Sequence, residues 1–404
     1  MNKRQKKLML LGGLRYLLPV IEEAHKLGAY VITVDYLPEN IAHQYSDEYH
    51  NISILDKEAI LALARDCEID GIMSFAVDPG VVTAAYVAQE LGLPFQGDLE
   101  SVEILQDKGK FRQFLTDNGF NVPVAKSYGT LEEAMKDKDT FNWPVIVKPV
   151  DSAGSKGVTK VDNPDHLLNA ARVAIEESHC QKFIVEDFLE MEGHSSDSEG
   201  FSVNGELVYN SFSDQYFDPK ASNPYTPAAY VWPSSMSPNV QRELTGELQR
   251  MMSLLKLRTG IYNIETRLCK NGKAYIMECS PRGGGNRLAE MIDIWQNNNL
   301  ISNAVRSALN EPLLPFPKSD TKDYIGEVIL HSQVTGKFDH ISISQTVQPL
   351  IVQEEIRVSK GDVVQEFTGA NNAIGTVVLR NQNKEQIDEL ISTVEDWCKI
   401  VVEE

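Results

Sequence analysis

Apolar and polar positions in the first hundred residues form a regular succession of two patterns. Short, continuous apolar runs, typical of buried strands, alternate with stretches in which apolar residues recur every three or four positions, as on one helix face. Strands and helices that alternate at short spacing form βαβ units, whose strands pair in parallel. The sequence therefore predicts an α/β domain over residues 1–105. The predicted strands and helices follow one another at 7–11, 14–26, 30–35, 59–67, 71–75 and 81–91.

Further along the chain the pattern changes, because short strand-like segments predominate and helical stretches only intervene. The centre, residues 106–315, is therefore predicted to be α+β, with a smaller subdomain at about 125–190. A proline-rich linker follows, and residues 316–404 are predicted to form a small α+β domain closed by a helix at 384–398. The predicted strands lie at 145–148, 182–186, 201–203, 206–209, 261–269, 273–278, 326–333, 355–358 and 375–379, and the central helices at 164–177 and 238–255. A helix of roughly ten residues is also predicted after Asp107, which is suited to be its N-cap.

The chain has 404 residues and a formal net charge of −20, which argues against nucleic acid and anionic membrane as main partners, because an acidic surface repels phosphate. Its five cysteines are scattered without metal-binding spacing, so a reduced, cytoplasmic protein is predicted. Gly12, Gly13 and Arg15 interrupt the basic and apolar segment 1–20, which therefore predicts a strand, a turn and a helix rather than a signal peptide. No apolar stretch reaches the roughly 20 residues that span a bilayer.

Two strand-like runs meet at Asn271-Gly272, a dipeptide typical of two-residue hairpin turns. Such a turn pairs positions 270 and 273 and, counting back, places Glu265 opposite Glu278 on one face. Opposed carboxylates repel each other, and a sheet normally avoids them. A magnesium ion removes the conflict, because it binds carboxylate oxygens together with substrate phosphates. By themselves, the two acids fit a metal site and a solvated sheet face equally well.

The segment after the second acid, Ser-Pro-Arg-Gly-Gly-Gly-Asn-Arg at 280–287, is suited to anions. Arg282 and Arg287 offer forked donors for phosphate or carboxylate, and the glycines at 283–285 let the backbone approach an anion closely. A helix that starts near Arg287 would direct its N-terminus to the same place. Next to the paired acids, this loop favours a metal and nucleotide site over a solvated sheet face.

A predicted strand ends at Lys148 and is followed by Asp-Ser-Ala-Gly-Ser-Lys-Gly at 151–157, a flexible segment rich in backbone N–H groups. Such a loop can close over phosphates as a lid. It is not a Walker A loop, because the G-x-x-x-x-G-K-[ST] spacing and the following helix are missing. An ordinary hairpin turn is the alternative interpretation.

Five segments follow one another along the chain: Asp107-Lys108, Val-Ile-Val-Lys148-Pro, Val185-Glu186-Asp-Phe-Leu189, Glu265 and Met277-Glu278-Cys-Ser-Pro-Arg282. These segments, in this order, resemble the ATP-grasp superfamily. The core is similar to carbamoyl phosphate synthetase and biotin carboxylase, and the layout is closest to that of the L-amino acid ligases. The resemblance implies a Rossmann-like preATP-grasp domain, an ATP-grasp core of two α+β subdomains, one of them a lid, and a small C-terminal domain packed on the core.

The same resemblance implies roles for individual residues. The family usually has Asn where Ser280 stands, and Asn263 on the paired strand is expected to cover part of that role. The implied metal ligands, for Mg²⁺ or Mn²⁺, are Glu265, Glu278 and Ser280. The implied catalytic residues are Arg282, Lys148 and Arg287. The implied ATP contacts are Lys108, Lys148, Ser152, Gly154, Ser155, Gly157, Glu186, Asp187, Leu189 and His194.

Together these roles predict an ATP- and Mg²⁺-dependent ligase that activates a carboxylate as an acyl phosphate and joins it to an amine or a thiol, releasing ADP and phosphate. The alternatives are a carboxyphosphate-forming enzyme and a non-catalytic ATP-binding protein, and Ser280 favours the latter. The expected partners are a small carboxylate and a small amine, and the resemblance allows a homodimer. The segment 214–232 is expected to be a loop that contributes to substrate specificity.

Overall fold

The computed structural model describes residues 4–152, 154–317 and 321–403. The strands are β1 (Lys7–Leu11), β2 (Tyr30–Val34), β3 (Glu48–His50), β4 (Gly71–Ser74), β5 (Ala125–Tyr128), β6 (Val145–Pro149), β7 (Thr159–Val161), β8 (Phe183–Asp187), β9 (Ser196–Val203), β10 (Glu206–Asn210), β11 (Asp214–Phe217), β12 (Pro227–Trp232), β13 (Gly260–Leu268), β14 (Ala274–Ser280), β15 (Tyr324–Leu330), β16 (Gly336–Ile343), β17 (Ile351–Ile356), β18 (Val363–Val364), β19 (Gly375–Asn381) and β20 (Cys398–Glu403). The helices are α1 (Leu18–Lys26), α2 (Lys57–Cys67), α3 (Val81–Leu91), α4 (Leu99–Gln106), α5 (Lys108–Asp117), α6 (Leu131–Asp137), α7 (Leu167–Glu176), α8 (Pro238–Leu254), α9 (Leu288–Gln296), α10 (Leu300–Ala308), α11 (Lys384–Ser392) and α12 (Val394–Trp397).

The N-terminal part is a parallel sheet in the order β3-β2-β1-β4. Strands β1, β2 and β4 are buried almost throughout, as expected of a parallel sheet covered by helices on both faces. The predicted α/β class is confirmed here. The edge strand β3 was not predicted, because its three half-buried residues give no apolar run. The helix predicted at 14–26 begins as a 3₁₀ turn, Arg15–Leu17, and α1 follows with Pro19 in its first turn.

Two antiparallel sheets form the centre, and they confirm the predicted α+β class. One has the order β5-β8-β6-β7 and packs on α6 and α7, and the other has the order β10-β9-β13-β14 and packs on α8. Between them lies α5, whose predicted N-cap is confirmed because the Asp107 carboxylate accepts a hydrogen bond from the Lys110 backbone N–H. The strand β9 begins at Ser196, five residues before the predicted start, since its serines and acids carry no apolar signal.

The remaining strands form a five-stranded sheet, β11-β12-β15-β19-β17, and a three-stranded sheet, β18-β16-β20. The prediction of a loop over 214–232 is wrong at both ends, because β11 and β12 pair as a hairpin and β12 also pairs with β15. Neighbouring strands in the sheet, which are distant in sequence, decide this conformation. No helix in the described ranges is long and apolar enough to cross a membrane.

The predicted closing helix at 384–398 is also interrupted. Helix α11 ends at Ser392, α12 adds one short turn, and Cys398 begins β20. The extended backbone at Cys398 allows its pairing with Ile343 on β16, and the Trp397 side chain is buried. A contact with a distant strand therefore replaces the last helical turn that local periodicity predicts.

Candidate active site

The strands β13 and β14 place Glu265 directly opposite Glu278, in the predicted register. The turn differs from the prediction, because Cys269 and Lys273 are paired across three residues and Gly272 occupies the left-handed region at φ +76°. A β-bulge between Glu265 and Thr266 shifts the register back by one residue. The three-residue turn and the bulge compensate for each other, so both carboxylates still point to the same face.

A third acid, Asp197, lies in the same row. On β9 it is opposite Glu265, so three carboxylates follow one another across three neighbouring strands. Asp197 accepts a hydrogen bond from Asn263 Nδ2 at 2.7 Å and one from the Tyr230 hydroxyl at 3.3 Å. Burial and the charge of Glu265 raise the pKa of Asp197 to about 7. The alternation of serine and acid at 196–199 was the available sequence signal for a strand with an acidic face.

The glycine loop lies against a carboxyl group of the protein itself, and its predicted approach to a substrate anion stays a prediction. The Gly284 backbone N–H donates to Glu199 Oε1 at 2.7 Å. A Cβ atom added at Gly284 would lie 2.9 Å from the same oxygen, so this close approach requires glycine. Glu199 is fully buried and its Oε2 atom has no hydrogen-bond partner in the described chain. Burial raises the pKa of Glu199 to about 8.

Arg282 connects this face to the N-terminal sheet. Its Nε and Nη2 atoms donate to the two carboxylate oxygens of Asp78 at 2.9 and 2.6 Å, and Nη1 donates to Asn263 Oδ1 at 3.0 Å. Burial opposes the ionisation of Asp78, but the Arg282 charge outweighs it and lowers the Asp78 pKa. Asp78 was not predicted, although it follows β4 at the carboxyl edge of the parallel sheet, where sites are common.

The hydroxyl of Ser280 is already engaged in this interdomain contact. It donates to Asp78 Oδ1 at 2.9 Å and accepts from Gln106 Nε2 at 2.6 Å. Asn263, which was expected to support the metal site, is bound to Asp197 and Arg282. The metal roles of Ser280 and Asn263 therefore stay predictions.

Lys148 belongs to a buried group of three charged side chains. The sequence pointed to Lys148 and Glu186 but not to the third, Arg112. Its Nζ atom is 2.5 Å from Glu186 Oε1, and Arg112 Nε donates to Glu186 Oε2 at 2.9 Å. Burial opposes the ionisation of Glu186, but the charges of Arg112 and Lys148 hold its pKa at about 2. The Glu186 carboxylate thus fixes Lys148, and only the Glu186 backbone is left to line an adenine pocket.

Lys108 joins the predicted phosphate loop to the acidic face. Its Nζ atom donates to the Ser152 carbonyl oxygen at 2.9 Å and lies 3.6 Å from Glu278 Oε2. Gly154 and Gly157 both have φ near +68°, and Ser155 donates through Oγ to a carbonyl oxygen of the β11–β12 loop at 2.9 Å. Ser152 therefore lies beside the predicted lysine, whereas the nucleotide contacts of the other loop residues stay predictions, and position 153 is outside the described residues.

Two family models match the chain. The ATP-grasp N-terminal domain matches residues 21–95 and the ATP-grasp domain matches residues 141–290. The chain belongs to the ATP-grasp superfamily. Together the two models cover most of the residues described above, with Asp78 in the first and the acidic row, Arg282 and Lys148 in the second. Lys108 and Arg112 lie between them.

The chain is similar to known proteins, but the share of each protein's length that it matches differs. The carbamoyl phosphate synthase large chain of Thermotoga neapolitana is 27% identical over 259 residues, which are 63% of this chain and 23% of that one, so this chain matches about a quarter of the relative's length. The L-amino acid ligase of Bacillus licheniformis has a TM-score of 0.81 at 22% identity, with both chains fully covered. The biotin carboxylase domain of the Hydrogenobacter thermophilus 2-oxoglutarate carboxylase has a TM-score of 0.74 at 16% identity, covering 99% of this chain and 92% of that domain.

The segment between β8 and β9 links the two sheets of the ATP-grasp domain. Asp187 donates its backbone N–H to the Val124 carbonyl at 2.9 Å, and burial raises the pKa of its side chain. Leu189 is half-buried. The His194 ring packs against the Tyr216 ring at 4.3 Å. The predicted ATP contacts of these three residues and of Glu186 stay predictions.

Arg287 lies away from Arg282. Its backbone is left-handed at φ +58° and precedes α9, as predicted for a helix that starts there. Its guanidinium, however, reaches the C-terminal sheet, where Nη1 donates to Thr376 Oγ1 at 2.8 Å and Nη2 donates to Gln353 Oε1 at 2.7 Å. The two arginines, close in sequence, thus serve different regions, and the catalytic role of Arg287 stays a prediction.

Proposed function

We propose that this ATP-grasp protein is an ATP- and Mg²⁺-dependent ligase that joins a carboxylate to an amine through an acyl phosphate. One observation carries the proposal: Glu265 and Glu278 face each other on paired strands, with Lys108 beside Glu278. Two opposed carboxylates are unfavourable in a sheet, and each contacts only one cation of the described chain: Arg267 donates to Glu265 Oε1 at 3.3 Å, and Lys108 Nζ is 3.6 Å from Glu278 Oε2. The pair fits Mg²⁺, which binds carboxylate and phosphate oxygens together.

The positions of the side chains assign a part to each. Glu265 and Glu278 would hold the metal, which supplies charge neutralisation at the β- and γ-phosphates. Lys108 and Lys148 add positive charge to the phosphates as the carboxylate attacks in line. Arg282, fixed by Asp78, is placed to stabilise charge on the acyl phosphate. The loop at 151–157 keeps water from this intermediate, which would otherwise hydrolyse.

The similar proteins support the ATP-grasp ligase class and leave the substrates open. The L-amino acid ligase favours a carboxylate–amine reaction. The biotin carboxylase domain was solved as a dimer with magnesium ADP and bicarbonate, which favours carboxyphosphate chemistry as the second candidate. We propose ATP and Mg²⁺ as cofactors, with Mn²⁺ as a substitute ion, and small molecules as substrates. The homodimer and the cytoplasmic location stay predictions.

A screen for ADP release tests the proposal. The protein is incubated with ATP and Mg²⁺, and with each of the twenty amino acids, alone and in pairs, or with bicarbonate. We expect ADP above background only when a carboxylate and an amine are both present. ADP with bicarbonate alone would support the carboxyphosphate candidate. No ADP with any mixture, despite measurable ATP binding, would contradict a ligase and indicate a non-catalytic nucleotide-binding protein.

The variant Asp78→Asn should lower the rate of ADP release by about 10- to 100-fold with little change in the KM for ATP. Asn keeps the size of the side chain but not its charge, and it accepts only one of the two hydrogen bonds from Arg282. A guanidinium displaced by about 1 Å can cost that much in rate. Steady-state kinetics measure the effect. The control is Asp70→Asn, which removes a surface ion pair with Arg4. A rate within twofold of wild type would show that Arg282 does not depend on Asp78.

A further inference from the structure

A second carboxyl group, that of Glu327 on β15, is buried without a hydrogen-bond partner among the described residues. Its exposed fraction is 0%, and neither Oε1 nor Oε2 accepts a hydrogen bond from any described residue. The closest cation is Arg287, whose Nη1 atom is 3.9 Å away and donates instead to Thr376. A buried carboxyl group without hydrogen bonds costs several kcal/mol. A protein can retain such an unfavourable group when the group has a function, and binding a ligand is one such function.

Three distant parts of the chain meet around Glu327. Tyr16, after the first glycine turn, interacts through its hydroxyl with the Arg357 guanidinium and the Asn286 backbone and is within electrostatic reach of Glu327. Arg357 follows β17, donates from Nη2 to Glu355 at 3.2 Å, and has a buried Nε atom without a hydrogen-bond partner among the described residues. An acceptor and a donor that both lack partners thus lie in one cluster. The charged and titratable groups that act on Glu327 or contact this cluster are Arg287, Glu290, Arg357, Glu355, Tyr16 and Tyr230.

The cluster adjoins the acidic row of the active site. Tyr230 on β12 is opposite Glu327 in the strand ladder. Its hydroxyl donates to Asp197 Oδ2 at 3.3 Å and accepts from Asn286 Nδ2 at 3.0 Å. Asp197 in turn is opposite Glu265. A molecule held at Glu327 would therefore be one side chain away from the face where an acyl phosphate forms.

We propose that Glu327 and Arg357 hold the amine substrate of the proposed ligase, and that this substrate is an amino acid or another amine that carries an acid group. The ammonium group would pair with the Glu327 carboxylate and the acid group with Arg357 Nε, so that one zwitterion supplies partners to both side chains. A charge-assisted hydrogen bond in a site removed from water is strong. That the bound molecule is a substrate rests on the proposed ligase function.

The proposal also predicts that the protein releases a proton when the amine binds. Burial raises the pKa of Glu327 to about 8, and the Arg287 charge only partly offsets this. Near neutral pH the free protein therefore carries a proton on Glu327, and pairing with an ammonium group ionises it. Binding of the amine should release up to one proton at pH 7. The proton balance is complete, because the carboxylic acid becomes a carboxylate and the proton passes to buffer.

Calorimetric titration of the full chain with each of the twenty amino acids, in the presence of ADP and Mg²⁺, tests the proposal without requiring turnover. We expect at least one amino acid to bind, and Glu327→Gln to weaken that binding by at least about thirtyfold, as for one partner removed from a buried charge pair. Titration in buffers of different ionisation enthalpy should show proton release for the wild type and none for Glu327→Gln. The control is Glu395→Gln, which removes an exposed acid paired with Lys220, outside this cluster.

The outcomes separate this inference from the proposed function. Amino acid affinity within twofold of wild type in Glu327→Gln, or no binding to the wild-type protein at 10 mM, would overturn the binding role of Glu327. In the first case ADP release with a carboxylate and an amine would still support the ligase. Amino acid binding that depends on Glu327 without any ADP release would support the site and overturn the ligase. Glu327→Gln mimics the protonated group, so a purely structural role predicts unchanged affinity.

Discussion

Replacing Glu278 by Gln is expected to lower ADP release by about a thousandfold while the protein stays folded. The change removes one of the two opposed carboxylates that would hold Mg²⁺, and loss of charge stabilisation of this kind costs about 2.7–4 kcal/mol of transition-state energy. The side chain is about one third exposed and its charged partner, Lys108, is 3.6 Å away, so little stability depends on it. Removing a negative charge beside Glu265 also relieves repulsion.

Two measurements examine the Glu278→Gln prediction independently. Steady-state ADP release gives the rate, and titration of Mn²⁺ in the presence of ADP, followed by electron paramagnetic resonance, gives the metal affinity. Both should fall, whereas the thermal midpoint should not. Glu103→Gln, at an exposed ion pair with Lys110, is the matched control and should behave as wild type. A variant at position 278 with wild-type rate and wild-type Mn²⁺ affinity would refute the metal site.

Glu186→Gln should destabilise the protein by about 3–5 kcal/mol, the largest stability effect that we expect from a single polar substitution here. The variant leaves Lys148 and Arg112 buried at a neutral amide, without the carboxylate that compensates both charges. The loss should appear as a lower urea midpoint for the transition that involves β6 and β8. Glu190→Gln, at an exposed pair with Lys270, should change stability by less than about 1 kcal/mol.

The difference in unfolding free energy between wild type and Glu186→Gln should become smaller as the pH falls. The pKa of Glu186 is about 2 in the folded protein, whereas an unfolded Glu titrates near 4.3. A carboxylate whose pKa is lowered by folding contributes its full stabilisation above pH 4.3 and loses it as the pH falls towards 2. Wild type and Glu186→Gln should therefore differ most near neutral pH and converge in acid denaturation curves. An equal difference at pH 3 and pH 7 would contradict the role of this ion pair.

Local sequence patterns were sufficient to predict the structural features that depend on neighbours within about ten residues. The apolar runs of the first hundred residues predicted a parallel sheet, because buried strands and amphipathic helices have distinct periods. Asp107 predicted a helix N-cap, since its short side chain can reach the third backbone N–H beyond it. The Asn-Gly dipeptide predicted a hairpin and an opposed pair of acids. That register is present, although a three-residue turn and a bulge produce it together.

Contacts between distant segments decided the rest of the site. The third acid, Asp197, joined the row because β9 is the neighbour of β13, and a single sequence does not show which strands are neighbours. Glu186 lies on a strand that the pattern predicted, yet its carboxylate is directed to Arg112 and Lys148 rather than to a nucleotide. Arg282 and Arg287, five residues apart, were predicted to act together, but they reach different parts of the molecule.

Alternation, turn chemistry and short spacing are local properties of the chain, and they were enough for the strand and helix periods, the paired acids and the order of the ATP-grasp segments. The packed fold was needed to show that Asp78, 204 positions before Arg282, fixes that guanidinium, and that Glu327 is buried opposite Tyr230. Both findings have one cause. Burial and hydrogen bonding depend on which surfaces pack together, and residues far apart in the chain supply those surfaces.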